Sequence, residues 1–250
     1  MNKEACIVII DVGRSMGIIG SDGKSGLDKA KSAVRQMITN KLIIGKKQDE
    51  MGILLVGSVE TFNQLNNEAG EGYDNIRTLS LLQKPSLKLL EELDAIEVEE
   101  AEGDVIDSLL VAMGTLLDRV KKLKFTKRIY LATALGGAIN LDDSDSIDKI
   151  IDTINSNGFK LNVLGVGFGD APERDENGSF RYPEPVSRNV QFLHEFTQRI
   201  GSDGGEAAAA CIDVNDAMQV LCSFRKASVS ISLSLFVLVI DNFYYLAMPS

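Results

Sequence analysis

A loop near the amino terminus carries residues that suit three different chemistries. The segment IVIIDVGRSMG, from Ile7 to Gly17, joins an apolar strand-like run to a polar loop. Its GRSMG matches the G-x-S-x-G pattern in which a hydrolase presents a serine nucleophile, here Ser15. Its DVGRS differs by one residue from D-x-S-x-S, whose carboxylate and hydroxyls suit a divalent cation. Continued to GIIGSDGKS, the loop approaches the glycine-rich pattern that cradles phosphate groups.

The hydrolase interpretation lacks the elements that would position its nucleophile. A nucleophile elbow requires a helix directly after Ser15, whereas the helical pattern begins near Leu27. The one histidine, His194, lies in FLHEF, where we expect a helical histidine packed beside phenylalanines. No HGGG-type segment is present to form an oxyanion hole. We therefore predict no catalytic constellation in this chain.

The phosphate-loop interpretation fails on spacing. Gly23, Lys24 and Ser25 require a glycine where the chain has Ile18, and Gly17 is one residue too far. A shifted glycine misdirects the backbone N–H groups that would contact the phosphates. The later GVGFGD leads into an acidic, proline-containing loop, not into the helix that a dinucleotide site needs. The sequence thus predicts no cofactor.

Apolar strands and amphipathic helices alternate along the chain and must position these residues. Alternation of this kind indicates an α/β fold with a mainly parallel central sheet and helices on both faces. Such a sheet binds ligands at the carboxyl ends of its strands, which is where Asp11 stands. The segment 169–185 is predicted to be a polar surface loop. Strands are predicted at 5–11, 51–58, 75–82, 127–134 and 160–167, and helices at 27–42, 86–96, 104–123, 144–158, 191–200 and 214–224.

Composition limits what this chain can bind directly. Its 250 residues carry a formal net charge of −10. Surfaces that grip nucleic acid are usually basic, because Lys and Arg displace the counterions of the phosphates. We therefore expect any contact with DNA to come from another domain or subunit.

The three cysteines lack C-x-x-C spacing, which indicates a reducing compartment, and Cys6 in its apolar run is expected to be a buried thiol.

The carboxyl-terminal segment differs from the rest of the chain. Residues 1–226 hold the strand and helix pattern, whereas 227–250 form an apolar tail that is diluted by serines. Its uninterrupted apolar block, from Leu235 to Ile240, is shorter than the roughly 20 residues of a membrane span. We expect no membrane association. The tail is interpreted as a strand of a further, truncated domain or as a product of alternative splicing.

The metal-site interpretation follows a more specific pattern. In von Willebrand A-type domains, D-x-S-x-S, a threonine from a middle loop and an aspartate after a later strand surround the ion. Here Asp11 and Ser15 remain, Gly13 replaces the first serine, Asp104 falls near the threonine position, and Ala134 replaces the later aspartate. Losing a carboxylate and a hydroxyl removes charge that must offset dehydration of the ion. We therefore predict a degenerate site without metal, in which Asp11 accepts hydrogen bonds from loop amides.

Longer segments resemble one intracellular family. The stretches IVIIDVGRSM, KKQDEMGILLVGSVET, YDNIRTLSLL, GDVIDSLLVAMGTL and FTKRIYLATA are similar to the amino-terminal von Willebrand A-like domain of the larger Ku subunit. The resemblance covers about residues 3–226 and implies a Rossmann-like, von Willebrand A-type fold. The run LCSFRK resembles the approach to the Ku β-barrel, so 227–250 is interpreted as a possible truncated start of that barrel.

The resemblance also implies a function and partners. Ku is a ring-shaped heterodimer that binds DNA ends, and this domain would be its non-catalytic, peripheral docking surface in the nucleus. The implied roles are double-strand-break repair by non-homologous end joining and telomere maintenance. The implied partners are the smaller Ku subunit and end-joining factors, with DNA ends held only by the complete heterodimer. Ku is sometimes described as an ATP-dependent helicase, but no residue here suggests an ATP site.

The docking residues of the family correspond here to Leu65, Tyr73, Asn75 and Ile76. Packing at a strand edge would account equally well for Tyr73 and Ile76. The alternative function is that of an A-type scaffold domain in another nuclear complex, such as a proteasomal ubiquitin receptor or a transcription/repair factor H subunit.

Overall fold

A six-stranded sheet forms the centre of the chain. The computed structural model describes residues 3–44, 48–121, 123–137, 139, 144–167, 186–200 and 209–223. The strands are β1 (Lys3–Asp11), β2 (Glu50–Val56), β3 (Ile76–Gln83), β4 (Phe125–Thr133), β5 (Phe159–Gly165) and β6 (Ala209–Asp213). They lie in the order β3-β2-β1-β4-β5-β6. Neighbouring strands are parallel except β2 and β3, which run antiparallel, so the prediction of a mainly parallel sheet is confirmed.

Helices cover both faces of this sheet, as the alternating pattern predicted. One face packs mainly against α4, α5 and α6, and the other mainly against α1, α3 and α7. A single 3-10 turn, Arg14–Gly17, follows β1. The helices are α1 (Gly26–Ile44), α2 (Gln64–Ala69), α3 (Leu87–Asp94), α4 (Val105–Val120), α5 (Ser144–Asn157), α6 (Val186–Arg199) and α7 (Val214–Ser223).

The central strand β1 is buried on both faces. Ile7 and Ile9 belong to the core on the α4 side, whereas Val8 and Ile10 belong to the core on the α1 side. Burial on both sides explains why the sequence shows a continuous apolar run and no alternation. Burial of each such side chain contributes about 1.5–3 kcal/mol to the free energy of unfolding, relative to an exposed one. Cys6 is a buried free thiol, and burial raises its pKa to about 12.

Two elements of the structure were not predicted. The helix α2 and the strand β6 are short, with six and five residues, and neither shows a clear apolar period. The predicted loop 169–185 and the tail 227–250 lie outside the described residues. Within the described ranges, no helix is long and apolar enough to cross a membrane.

A charged network ties the amino ends of the strands together. Lys41 Nζ lies 2.7 Å from Glu4 Oε1 and 3.2 Å from Asp49 Oδ2. Arg128 Nε lies 3.3 Å from Glu4 Oε2, and its guanidinium also donates to Asn162. Burial by itself would raise the pKa of Glu4, but Lys41 and Arg128 outweigh it and hold this pKa below its usual value.

We expect Lys41→Met to lower the free energy of unfolding by about 3–5 kcal/mol, because it leaves Glu4 and Asp49 without their shared cation. Because the folded protein holds the pKa of Glu4 below its usual value, the loss should shrink at acidic pH, as Glu4 takes up a proton and no longer needs a cation. Urea denaturation at pH 7 and pH 3.5 measures both effects. Lys88→Met is the control, because the Lys88 side chain is 74% exposed and its pair with Glu92 should contribute little. Equal losses for the two variants would contradict the prediction.

Candidate functional site

A small cleft lies at the carboxyl ends of the strands, where the loop after β1 was expected to act. Its volume is about 40 Å³, which leaves room for a few water molecules at roughly 10–15 Å³ each. Three of the four residues predicted for the degenerate metal site line it, namely Asp11, Gly13 and Ser15. Other lining residues come from the ends of β2 and β4 and from the loop before α4, including Gly57, Gly103, Thr133 and Gly136.

The buried carboxylate of Asp11 accepts hydrogen bonds from two nearby residues. Gly13 N donates to Asp11 Oδ1 at 2.9 Å, and Thr133 Oγ1 donates to Asp11 Oδ2 at 2.6 Å. Thr133 Oγ1 in turn accepts from Leu135 N at 2.9 Å. Burial raises the pKa of Asp11, and the hydrogen bonds from Thr133 and Gly13 only partly offset this rise. Asp11 therefore joins the loop after β1 to the end of β4, and Thr133 is the partner that the sequence did not reveal.

Backbone segments pack so closely around the cleft that several positions exclude side chains. A Cβ on Gly13 would lie 3.2 Å from Asp11 Oδ1, so the serine of D-x-S-x-S would crowd this carboxylate. A Cβ on Gly103 would lie 2.6 Å from Gly57 N. A Cβ on Gly136 would overlap the Cβ of Ser15 and lie 2.7 Å from its Oγ. Gly103 and Gly136 therefore exclude side chains, whereas a side chain at position 13 would require its neighbours to move slightly.

The remaining positions of the predicted metal site do not line the cleft. Ala134 is not a lining residue of the cleft and packs against the core on the α1 side. Leu135 has a φ of 55°, and Gly136 and Gly137 after it line the cleft instead. Asp104 caps α4 by accepting from Ile106 N at 2.7 Å. Among the residues that the structure describes, no group of three or more His, Cys, Asp or Glu side chains is placed to hold a metal ion.

Ser15 and His194, the pair of the hydrolase interpretation, have separate surroundings. Ser15 contacts Gly136, whereas His194 lies on the exposed side of α6 with its Nε2 3.0 Å from Gln198 Nε2. The expectation that His194 packs beside phenylalanines is wrong, because Phe192 and Phe196 stack on each other toward the core. The helical period places the histidine on the opposite side of the helix.

The predicted docking residues gather around α2 and the loop before β3. Leu65 and Tyr73 are partly buried, and a Cβ on Gly114 of α4 would lie 3.6 Å from Leu65 Cδ2. Ile76 is 0% exposed and belongs to the core, so it offers no surface. We call the partly exposed apolar residues of this region the α2–α4 surface, and they are Leu65, Tyr73, Leu110, Gly114 and Leu117.

Two asparagines hold the loop before β3 in place. Asn63, 1% exposed, caps α2 by accepting from Asn66 N at 2.9 Å, and its Nδ2 donates to the carbonyls of Tyr73 and Ile76. Asn75 has a φ of 58°, a conformation that Asn tolerates better than most residues. Its backbone N donates to Thr61 Oγ1 at 2.8 Å, and its Nδ2 donates to Ser58 O. Asn is a preferred N-cap residue, so Asn63 is the signal for α2 that the sequence contains.

Carboxylates surround the α2–α4 surface. Burial raises the pKa of Asp107, and the nearby charges of Asp104 and Asp74 raise it further. Gln64 Nε2, at the start of α2, donates to both Glu68 and Asp118. The apolar surface therefore lies within a region of negative potential.

The sheet order and the cleft define a von Willebrand A-type domain, and solved structures agree. The crystal structure of the SpRpn10 VWA domain aligns with a TM-score of 0.58 at 14% identity, over 87% of this chain and 95% of that one. The BatB protein from Bacteroides thetaiotaomicron aligns with a TM-score of 0.54 at 14% identity, over 89% and 98%. At this identity the likeness establishes the fold alone.

The sequence identifies the particular family within this class. The family model for the Ku70/Ku80 N-terminal alpha/beta domain matches residues 5–173, and the chain belongs to this family. X-ray repair cross-complementing protein 5 of Dictyostelium discoideum is 33% identical over 91% of this chain and 28% of its own length. ATP-dependent DNA helicase II subunit 2 of Yarrowia lipolytica is 30% identical over 79% and 27%. The resemblance found in the sequence is thereby confirmed, and the chain spans about a quarter of the length of these curated relatives.

We expect Gly136→Ala to lower the free energy of unfolding by about 1–3 kcal/mol, because the new methyl group overlaps Ser15. Ser15→Gly in the same chain removes the overlapping atoms and should restore most of the loss. Urea denaturation of the two single variants and the double variant measures this coupling. Gly137→Ala is the control, since its Cβ would lie 3.6 Å from Gly103 O, an ordinary van der Waals contact. Additive losses would disprove the close contact.

Asp11→Asn tests the buried carboxylate. Because burial raises the pKa of Asp11, its contribution to stability is complete below the unfolded pKa of about 3.9 and is lost as pH rises through the folded pKa. The free energy of unfolding of Asp11→Asn, relative to the unsubstituted protein, should therefore increase from pH 4 to pH 8. Urea denaturation across this range measures the slope.

Calorimetry with Mg²⁺ and Mn²⁺ should show no binding, and micromolar affinity that Asp11→Asn abolishes would contradict the predicted degenerate site.

Proposed function

We propose that this chain is the peripheral protein-interaction domain of a Ku-type complex that acts in double-strand-break repair. In the finer form of the proposal, it serves non-homologous end joining and telomere maintenance in the nucleus. It assembles with the smaller Ku subunit, and end-joining factors dock on it. Membership of the Ku N-terminal family supports this role, as do relatives named for repair and for a DNA helicase subunit.

The observation that carries the docking role is the α2–α4 surface with its ring of carboxylates. Partly exposed Leu65 and Tyr73 provide apolar contacts, and aromatic side chains are frequent anchors of binding energy. Carboxylates at Glu68, Asp74, Asp107 and Asp118 favour a basic partner. The segment that docks here is therefore a short stretch of a repair factor with apolar anchors next to Lys or Arg.

Preorganisation supports recognition at this surface. Asn63 and Asn75 fix the backbone of the loop before any partner arrives, which lowers the ordering entropy lost on binding. Ile76 lies beneath the loop in the core. Among the predicted docking residues, Leu65 and Tyr73 make the contacts, whereas Asn75 and Ile76 shape the surface.

DNA binding belongs to the complete heterodimer in this proposal. With a net charge of −10 and an acidic docking surface, the chain repels a phosphate backbone. The domain acts without a cofactor and without catalysis, and it places repair factors beside an end that other domains hold.

A peptide titration tests the docking surface. We expect a 12-residue peptide with four leucines and four lysines to bind the chain, and Leu65→Glu to weaken it at least tenfold. Fluorescence anisotropy at 50 and 200 mM salt measures the affinity, which should fall with salt because carboxylates contribute. Leu123→Glu, an exposed leucine outside the surface, is the matched control. Equal affinity for a peptide with glutamates in place of the lysines would contradict the assignment.

A pull-down from nuclear extract tests the broader role. The chain should recover the smaller Ku subunit or end-joining factors in the presence of competing DNA ends, and Leu65→Glu should lose the end-joining factors selectively. Retention of linear DNA by the purified chain alone, at affinities typical of DNA-binding domains, would contradict the division of roles.

A further inference from the structure

Within the described part of the chain, the outer edge of β3 is unpaired along most of its length. β3 is the last strand on its side of the sheet. Phe62 covers its beginning, where Phe62 N donates to Ile76 O at 3.0 Å and Thr78 N donates to Phe62 O at 2.7 Å. From Leu79 to Gln83, none of the described residues forms a backbone hydrogen bond with this outer edge. Open backbone groups on a terminal strand are a template for pairing with another chain.

Exposed leucines lie along the same edge. Leu81 of β3 and Leu87 at the start of α3 are each 71% exposed. Leu79 and Leu90 are partly buried against the core on the α1 side of the sheet. We call this region the β3–α3 edge and define it by Leu79, Leu81, Lys84, Leu87 and Lys88.

The charge of the β3–α3 edge is opposite to that of the whole chain. The segment RTLSLLQKPSLKLL, residues 77–90, contains three basic residues and no acidic one, in a chain of net charge −10. Arg77 is offset by Glu60 and Glu99. Lys84 is exposed, and Lys88 is 74% exposed with Glu92 3.5 Å away. Lys84 therefore places positive charge beside the leucines, and Lys88 adds to it despite its pair with Glu92.

We propose that an extended acidic segment of another protein adds to the outer edge of β3 as a further strand. Main-chain hydrogen bonds to residues 79–83 provide affinity, as in other cases of strand addition. Side chains of an added strand alternate between the two faces. Apolar residues on one face cover Leu81 and Leu87, and carboxylates meet Lys84 and Lys88.

Charge favours this occupant over a second copy of the chain. Two β3 strands paired edge to edge would bring the lysines of both copies to one interface, and like charges there are destabilising. A segment that carries its own carboxylates relieves the repulsion.

This surface differs from the docking surface of the proposed function. The α2–α4 surface is acidic and selects a basic partner, whereas the β3–α3 edge is basic and selects an acidic one. Failure of one assignment leaves the other intact, because the two use different residues and opposite charges.

Hydrogen exchange with a defined peptide tests the proposal on the whole 250-residue chain. The probe is a ten-residue peptide of alternating valine and glutamate, with proline at each end to prevent its self-association. We expect it to slow exchange of amides within 79–83, and we expect Leu81→Glu to weaken its binding at least tenfold. The double variant Lys84→Glu, Lys88→Glu should reverse the preference, toward a valine–lysine peptide. Leu65→Glu and Leu123→Glu are controls that should bind as the unsubstituted chain does.

Several outcomes would overturn the inference. These are equal binding of the valine–lysine peptide to the unsubstituted chain, unaltered affinity in Leu81→Glu, and slow exchange, in the free chain, of those amides within 79–83 that do not bond to β2. In the last case, sedimentation of the free chain distinguishes a second copy on the edge from coverage by the same molecule. Circular dichroism of each variant confirms that lost binding does not reflect unfolding.

Discussion

Close packing of backbone at the carboxyl edge of the sheet is the constraint on which this site depends. The loops that contain Gly13, Gly57, Gly103 and Gly136 approach so nearly that added Cβ atoms would meet backbone, Asp11 or Ser15. The buried carboxylate of Asp11 joins this packing by hydrogen bonds to Gly13 and to Thr133 at the end of β4. Each carboxylate oxygen of Asp11 therefore accepts a hydrogen bond from the protein itself.

The same packing orients the surfaces to either side. Gly57 N and Ser58 N both donate to Asn75 O, so the closed cleft fixes the loop that carries Tyr73. Glu99 accepts from Ser58 Oγ and Val59 N and pairs with Arg77, which connects the cleft to β3. Hydrogen bonds and an ion pair thus link the cleft to both the loop before β3 and β3 itself. Electrostatic complementarity between a charged surface and its partner governs partner choice and association rate more than affinity.

The sequence was sufficient for elements with a long, uniform signal. β1 and β4 were predicted within two residues of their observed ends, because continuous apolar runs require a strand buried on both faces. The long helix α4 was predicted at 104–123 and is observed at Val105–Val120. The short α2 and β6 were not found, because a helix of six residues and a strand of five depend on tertiary contacts. α2 forms where Asn63 caps it and Leu65 contacts α4.

For the site, the sequence by itself determined the residue types and the family. The spacing of Asp11, Gly13 and Ser15 marked the degenerate loop, and longer segments indicated the Ku domain. Only the tertiary structure showed that Thr133 binds Asp11, that Ala134 lies outside the cleft, and that Ile76 is buried. Each of these facts depends on contacts between residues far apart in the chain or on a local turn such as that at Leu135. Composition and spacing specify which groups are available, whereas packing decides which of them meet and which remain exposed.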